Sequence, residues 1–378
     1  MDLRWNDEQK MIAESAAVFL QEKSSTAQVR AVAETGGGID RALWQEVIDM
    51  GWAGVALPEA VGGMGLGWRE LVLLQEQMGY HLACMPFLDA VVALTPLWQA
   101  LSATPDGAAV VERLAQSGRI TVLGAGVHGQ LAADAHLQRV GAQWQLTGQW
   151  LQVGSATHAD VLLLPAALPE GQWALLEVPV DTAGLQVTAW KTVDATRSSA
   201  QVQANQVLLP EAAVLLQGEA LQLLWQRWHS LAVIGLAAEQ VGVADRALAL
   251  AVDYTKERQQ FGKPVGSFQG IKHRAAQMLV KVEMARSAVY GAAWMADHGA
   301  SADELLRFAA QARSEATEAA LFCTRESIQL HGGVGFTWEF DPHLFFRRAQ
   351  ASSQRWGTVG QWQDKVAEQL LGALEAVA

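Results

Sequence analysis

Positive charge is scarce in this chain. Its 378 residues carry 27 Lys and Arg against 39 Asp and Glu, a formal net charge of -12. No basic run stands out, so the footprint of a phosphate-backbone binder is missing and nucleic acid is excluded as an expected partner. Cysteine is nearly absent. Cys84 and Cys323 lie far apart in sequence, which excludes a disulfide framework and fits reduced, buried thiols of a cytoplasmic protein. The nine histidines are scattered, with no His/Cys or His/carboxylate spacing typical of a metal site. No apolar stretch approaches ~18 residues without polar interruption, so no membrane span is expected. The N-terminal segment MDLRWNDEQKMIAESAAVFL has acids where a signal peptide would need a cationic start and an unbroken apolar run.

Apolar residues, in contrast, are plentiful. At 51% they suffice for a large core in a chain long enough to divide into domains. The fifteen tryptophans are read as core and interface residues, each offering large burial and one donor. Three regimes follow one another. From Asn6 to about Leu114 apolar residues recur at helical spacing, as in Ile12, Ala16 and Phe19 and again in Leu43, Val47 and Met50. From about Ile120 to Pro210, runs such as ADVLLLPA and QWALLEVPV are short, β-rich and divided by Gly, Pro and polar turns. From about Ala220 helix returns, with Ile271, Ala275, Met278, Val282, Ala285, Val289 and Ala292 on one stripe. Helices segregated from strands argue for an α+β fold over a doubly wound sheet. The expected domains are 1–118 (helical), 119–213 (a β-barrel or sandwich) and 214–378 (a four-helix bundle). The run Gly62 to Gly67 (GGMGLG) follows no strand, so it is read as a tight turn between helices rather than a dinucleotide fingerprint.

Nearly the whole chain resembles the acyl-CoA dehydrogenase family. The resemblance rests on WNDEQKMIAESAAVFL, on LWQEVIDMGWAGVALPEAVGGMGLGWRELVLLQEQMG and on the β-domain exit VLLPEAAVLLQG. Its most specific parts are YTKERQQFGKPVGSFQGIKHRAAQM and QLHGGVGFTWEFDPHLFFRRAQ. The resemblance implies FAD, an acyl-CoA substrate oxidised to its trans-2,3-enoyl form, a tetramer and electron-transfer flavoprotein as acceptor. In the family a neighbouring subunit grips the adenine and pyrophosphate end of each FAD. The matching residues here are Arg258, Phe261, Gln269, Gln329, Gly332 and Gly333, with Thr358 of the Gly-Thr pair as a further candidate. Arg258 would offer a charge-assisted fork to a phosphate, and the glycines would allow close backbone approach. His331 is read as a packed or hydrogen-bonded residue.

The departures from the family pattern carry as much information. The usual catalytic glutamate before Gly-Thr falls on Trp356, and the alternative seat on the first long C-terminal helix falls on Ala232. The family's Thr-Glu-Pro and Gly-Ser-Asp region reads ITVLGAGVHGQLAAD and is shorter. Its Trp-Ile-Thr against the flavin reads Trp150, Leu151 and Gln152, with Trp150 equally able to be β-domain core. A missing base typically removes ~10²–10⁴-fold of rate. Three readings stay open: a working dehydrogenase drawing its base from Glu239, Glu257, Glu339 or Asp341, each of which reads more readily as a helix-end or surface acid; a non-catalytic partner in a heteromer of the steroid side-chain type; and a redox-inactive binding protein on the same fold.

Overall fold

The computed structural model describes residues 4–36, 38–115, 118–131 and 134–375. The last part of the shortened ITVLGAGVHGQLAAD segment, residues 132 and 133, lies outside them. Six helices come first: α1 (Asp7–Lys23), α2 (Thr26–Glu34), α3 (Arg41–Asp49), α4 (Trp68–Tyr80), α5 (Thr95–Leu101) and α6 (Pro105–Ala115). α1 starts at a capping box, in which the Asn6 side chain accepts from the Gln9 backbone N–H and the Gln9 side chain accepts from that of Asn6. The glycine run is a turn leading into α4, with Gly62 and Gly65 at φ 79° and 68°. The start of α4 is capped from a distance: Asp297 accepts from the Trp68 and Arg69 backbone N–H groups at 2.7 and 3.1 Å.

Eight strands follow: β1 (Thr121–Leu123), β2 (His136–Val140), β3 (Gln143–Gly154), β4 (Val161–Ala167), β5 (Trp173–Pro179), β6 (Leu185–Ala189), β7 (Ser199–Leu209) and β8 (Val214–Gln217). They form one sheet in the order β6-β7-β3-β2-β4-β5-β8, with β1 beside β4. Its two halves join through a single residue pair, His136 with Ala167. Trp150 of β3 ties the halves together, its indole donating to the Pro165 carbonyl of β4 at 3.1 Å. It is 1% exposed, which settles it as β-domain core.

The C-terminal bundle is built on α7 (Glu219–Glu257), α8 (Gln269–Asp297) and α9 (Ala302–His331), closed by α10 (Pro342–Ser352) and α11 (Val359–Glu375). The central part of α7 is buried almost all round, as a helix at the centre of a large core must be. It crosses α4 at a distance only glycine permits. A Cβ on Gly79 would collide with the Glu239 carbonyl, and one on Gly242 with that of Glu76. That crossing fixes α7 between the N-terminal helices and the bundle. Among the described residues, no helix is long and apolar enough to cross a membrane.

Candidate functional site

The residues matched to the dinucleotide grip gather at one end of α7. Arg258 caps the helix, its backbone N–H bonded to the Tyr254 carbonyl at 2.9 Å. A two-stranded hairpin, Gln259–Gln260 with Lys263–Pro264, then carries Phe261 at its tip. Phe261 is 92% exposed and held at φ 54°, a conformation uncommon for a bulky side chain. Gln269 opens α8, its side chain bonded to its helix neighbour His273 at 2.8 Å. The end of α9 joins this face because His331 stacks on Tyr254, ring centroids 4.4 Å apart. That brings in Gln329, Gly332 and Gly333, all exposed. A Cβ built on either glycine would meet nothing within 4 Å. The chain's own packing therefore leaves open space beside both, although Gly332, at φ 65°, holds a backbone conformation that itself favours glycine. His331 is a structural residue as expected, its Nδ1 2.7 Å from the Ser327 carbonyl.

Thr358 lies apart from that group. Its backbone N–H and hydroxyl both bond the Gln361 side chain at the start of α11, at 2.9 and 3.3 Å. It follows the turn that carries Trp356, and this turn is packed solid. Trp356 is 7% exposed, with φ 53°, and its ring meets Trp228 edge-on at 5.8 Å. Its carbonyl accepts from the Trp362 indole at 3.1 Å and from His229 Nε2 at 2.9 Å. His229 Nδ1 in turn faces the Lys365 ammonium at 3.0 Å. Lys365 can only donate there, so Nδ1 is the acceptor and Nε2 carries the hydrogen given to Trp356. Burial, helped by the neighbouring Lys365 charge, pushes the His229 pKa down to about 3, so the ring is neutral.

Behind the turn, the buried Arg313 of α9 donates to the carbonyls of Ser352, Ser353, Arg355 and Gly357 at 2.9 to 3.1 Å. Its other arm donates to Gln240 at 3.0 Å. Five acceptors stand in for a carboxylate, and desolvation draws its pKa down to about 9. Ala232 is fully buried on α7, a turn of helix beyond Trp228. At the two positions matched to the family's base seats the chain thus has a buried alanine and a tryptophan, the latter in contact with Trp228 and bonded through its carbonyl by Trp362.

Glu239, the first carboxylate named as a substitute, belongs to a buried ionic junction. It is bonded by Arg197, by Gln75 at 3.1 Å and by Ser352 at 3.3 Å, with Arg348 at 3.7 Å. Arg348 also pairs with Asp194 at 2.5 Å, and Arg355 pairs with Asp89. Three acids and three guanidiniums link the π-helical turn at Phe87–Val92, the β-domain and α10. Burial alone would push the Glu239 and Asp194 carboxyls up. The guanidiniums outweigh it and hold both below the usual carboxylate range, so they are ionised and poor proton acceptors. Asp341 pairs with Arg30 at 2.7 Å, and Glu257 and Glu339 are exposed. Beside the junction is a cleft of about 380 Å³ lined by Gln152, Trp190, Arg197, Ser198 and Arg355. Gln152 faces it from a β-bulge, at φ 56°. Among the described residues, the Ser198 hydroxyl and Arg355 Nε are buried there without hydrogen-bond partners. Gln152, matched above to the family's flavin-facing stretch, is among the residues that line this cleft.

The junction, the Lys365–His229–Trp356 chain and the Arg313 clamp were not visible in the sequence. Their partners are 136 residues apart for Lys365 and His229, and 154 for Arg348 and Asp194. Among the described residues no group of His, Cys, Asp and Glu could hold a metal ion.

Models of the acyl-CoA dehydrogenase N-terminal and C-terminal domains match residues 6–103 and 232–371. Acyl-CoA dehydrogenase IpdE2 of Mycobacterium tuberculosis is 32% identical over 352 residues, covering 92% of each chain. Among solved structures, the ChsE4–ChsE5 complex from Mycobacterium tuberculosis aligns with a TM-score of 0.86 at 26% identity, over 98% of this chain and 99% of that one. A variant of the Tcur3481–Tcur3483 steroid acyl-CoA dehydrogenase aligns at 0.85 with 29% identity, over the same shares, 98% and 99%. Motifs, fold and likeness over almost the full length agree: the chain belongs to the acyl-CoA dehydrogenase family.

Proposed function

We propose that this chain is the base-lacking subunit of a heteromeric acyl-CoA dehydrogenase, contributing the adenine and pyrophosphate half of a neighbour's FAD site. The observation that carries the reading is Trp356. It occupies the base position, is packed against Trp228, and has its carbonyl fixed by His229 and Trp362. The cofactor of the family is FAD. The exposed face at Arg258 fits it: a guanidinium, an aromatic tip, two amides and two glycines with open space around them. Arg258 and the backbone of Gly332 and Gly333 would hold the pyrophosphate, and Phe261 would pack against the adenine.

That face and the chain's own flavin-side cleft are far apart. From Glu239, at the cleft, to Arg258 is 19 residues of helix, about 28 Å at the usual rise. The two ends therefore serve different cofactor sites, each completed by a second chain. When bound, FAD supplies the acceptor for the β-hydride in the family's α,β-dehydrogenation. The protein's share of that reaction is to hold the acyl thioester and to take its α-proton. This chain keeps no free carboxylate at either expected position to take that proton.

The likeness to IpdE2, to the ChsE4–ChsE5 complex and to a steroid acyl-CoA dehydrogenase supports a pairing of unlike chains and a steroid-derived acyl-CoA as substrate. Electron-transfer flavoprotein is the acceptor we assign to the assembled enzyme. The test is turnover of an acyl-CoA with a ferrocenium acceptor, by the chain alone and after co-expression with a second dehydrogenase-like chain that carries the glutamate. Activity only in the pair, abolished when that glutamate becomes glutamine, is the expected result. Turnover by the chain alone would overturn the reading.

A further inference from the structure

A second opening lies on the outer side of the Trp356 turn, a cleft of about 890 Å³. Trp225 and Trp362 line its inner end, and His128, Gln130, Gln222 and Asp303 lie around it. Lys365 of α11 also lines it. The lysine is half-buried, with its ammonium 4.7 Å from the centre of the Trp362 ring. Its hydrogen-bond partner is His229 Nδ1, a neutral acceptor, and no carboxylate lies within ion-pair distance of it among the described residues. This differs from Lys10 and Lys256, which pair with acids on their own helix faces, and from Lys23 and Lys281, which pair across helices.

We propose that Lys365 is a covalent acylation site: its ε-amine, held by His229 in the open cleft, attacks acyl thioesters and becomes an Nε-acyl-lysine. In that step the amine nitrogen bonds to the carbonyl carbon and the carbon–sulfur bond breaks. The thiolate leaves and is protonated to free thiol, and the amine's surplus proton goes to water. Nothing is oxidised or reduced. Acyl thioesters are the substrate class of the family to which the chain belongs, so the donor is one the protein would meet.

His229 acts as a positioning residue. Its Nε2–H is committed to the Trp356 carbonyl, so Nδ1 is fixed as a bare acceptor aimed at Lys365. A histidine with so low a pKa is too weak a base to keep the lysine's proton. It orients the amine by taking one N–H bond and leaves the lone pair free after the proton has gone to solvent. Desolvation lowers the Lys365 pKa, with Glu368 opposing, and so raises the fraction of neutral amine. The other charged groups around the cleft are Asp364 on the same helix, Asp303 on α9 and His128 on the loop before β2, with Arg313 behind His229.

The proposal is independent of whether the enzyme is heteromeric. To test it, the full chain is incubated with acetyl-CoA at mildly alkaline pH, and acetylation at each lysine is followed by peptide mass spectrometry. Lys365 is expected to be modified several-fold faster than the exposed Lys272. In Lys365→Arg, intact-mass kinetics should lose one fast-reacting group. Modification of Lys365 no faster than of Lys272, or a fast phase surviving in Lys365→Arg, would overturn it.

Discussion

The two ends of α7 are made of opposite material. At its C-terminal end the side chains matched to a cofactor grip stand in solvent: Phe261 is 92% exposed, and nothing crowds Gly332 or Gly333. In its first half four indoles, a neutral histidine and a caged guanidinium fill the space, and a junction of six charges, four of them buried, sits just beyond. An exposed aromatic held at positive φ costs the isolated chain free energy, and its ring contact within the fold is a single edge-on approach to Phe268 at 6.2 Å, which supports the proposed use of Phe261 as a contact for something that binds there. The filled end does the reverse. It contributes to stability and offers no base. On the proposed reading, one helix carries a half-site kept for another molecule and a half-site given over to packing.

Substitutions should separate the two ends, with stability effects falling from the filled end to the open one. The largest is expected for Trp356→Glu, which buries a carboxylate against Trp228 and removes a packed ring. It should lose about 3–5 kcal/mol of stability in urea unfolding and should not create dehydrogenase activity. A stable, active Trp356→Glu would break the comparison. Arg313→Met comes next. It removes one donor from four turn carbonyls and Gln240, of which Ser352 keeps the Arg355 N–H and Gln240 keeps the Thr317 hydroxyl, and a loss of roughly 3 kcal/mol is expected by the same measurement.

The pH dependence of stability reports on His229. Its folded pKa, about 3, lies below the ordinary 6.5 because burial disfavours the charged ring. Between those values the unfolded chain binds a proton that the native one refuses. Stability is therefore complete above about 6.5 and is lost as pH falls toward 3, by an amount on the order of a few kcal/mol. His229→Gln should flatten that part of the curve. The smallest stability effects belong to the open end. Arg258→Ala and Phe261→Ser should each stay within about 0.5 kcal/mol of the unaltered chain. In the assembled enzyme, however, Arg258→Ala should lower FAD retention on gel filtration by about tenfold or more, the loss of one charge-assisted phosphate contact.

Much of this fold could be read along the chain. The order of helices, strands and helices follows from the shift in apolar period, because each period buries one face of one kind of element. The glycine turn before α4 was legible for the same local reason. The open end was legible through motif spacing, since RQQFG, SFQ and QLHGG fall at the ends of helices that meet. What escaped depended on contacts across long separations. Arg197 to Glu239, Arg348 to Asp194 and Lys365 to His229 join different regions, and no local pattern marks their members. Gly79 and Gly242 carry no local signal of their role; the crossing of α4 and α7 shows why a Cβ is forbidden there. Trp150, which could have faced the flavin or the core, is core because β3 and β4 close over it. Trp356 was matched in the sequence to the family's base position. That its ring packs edge-on against Trp228 and its carbonyl is bonded by Trp362 and His229 required the structure.

The central claim is that the chain's intact cofactor half-site serves a neighbour. The most direct test is flavin stoichiometry, measured by absorbance and FAD release on the chain purified alone and on its complex with a base-bearing second chain. The expected result is little or no FAD on the chain alone and one FAD per pair of unlike chains in the complex. One FAD per chain in the protein purified alone, with turnover, would contradict it.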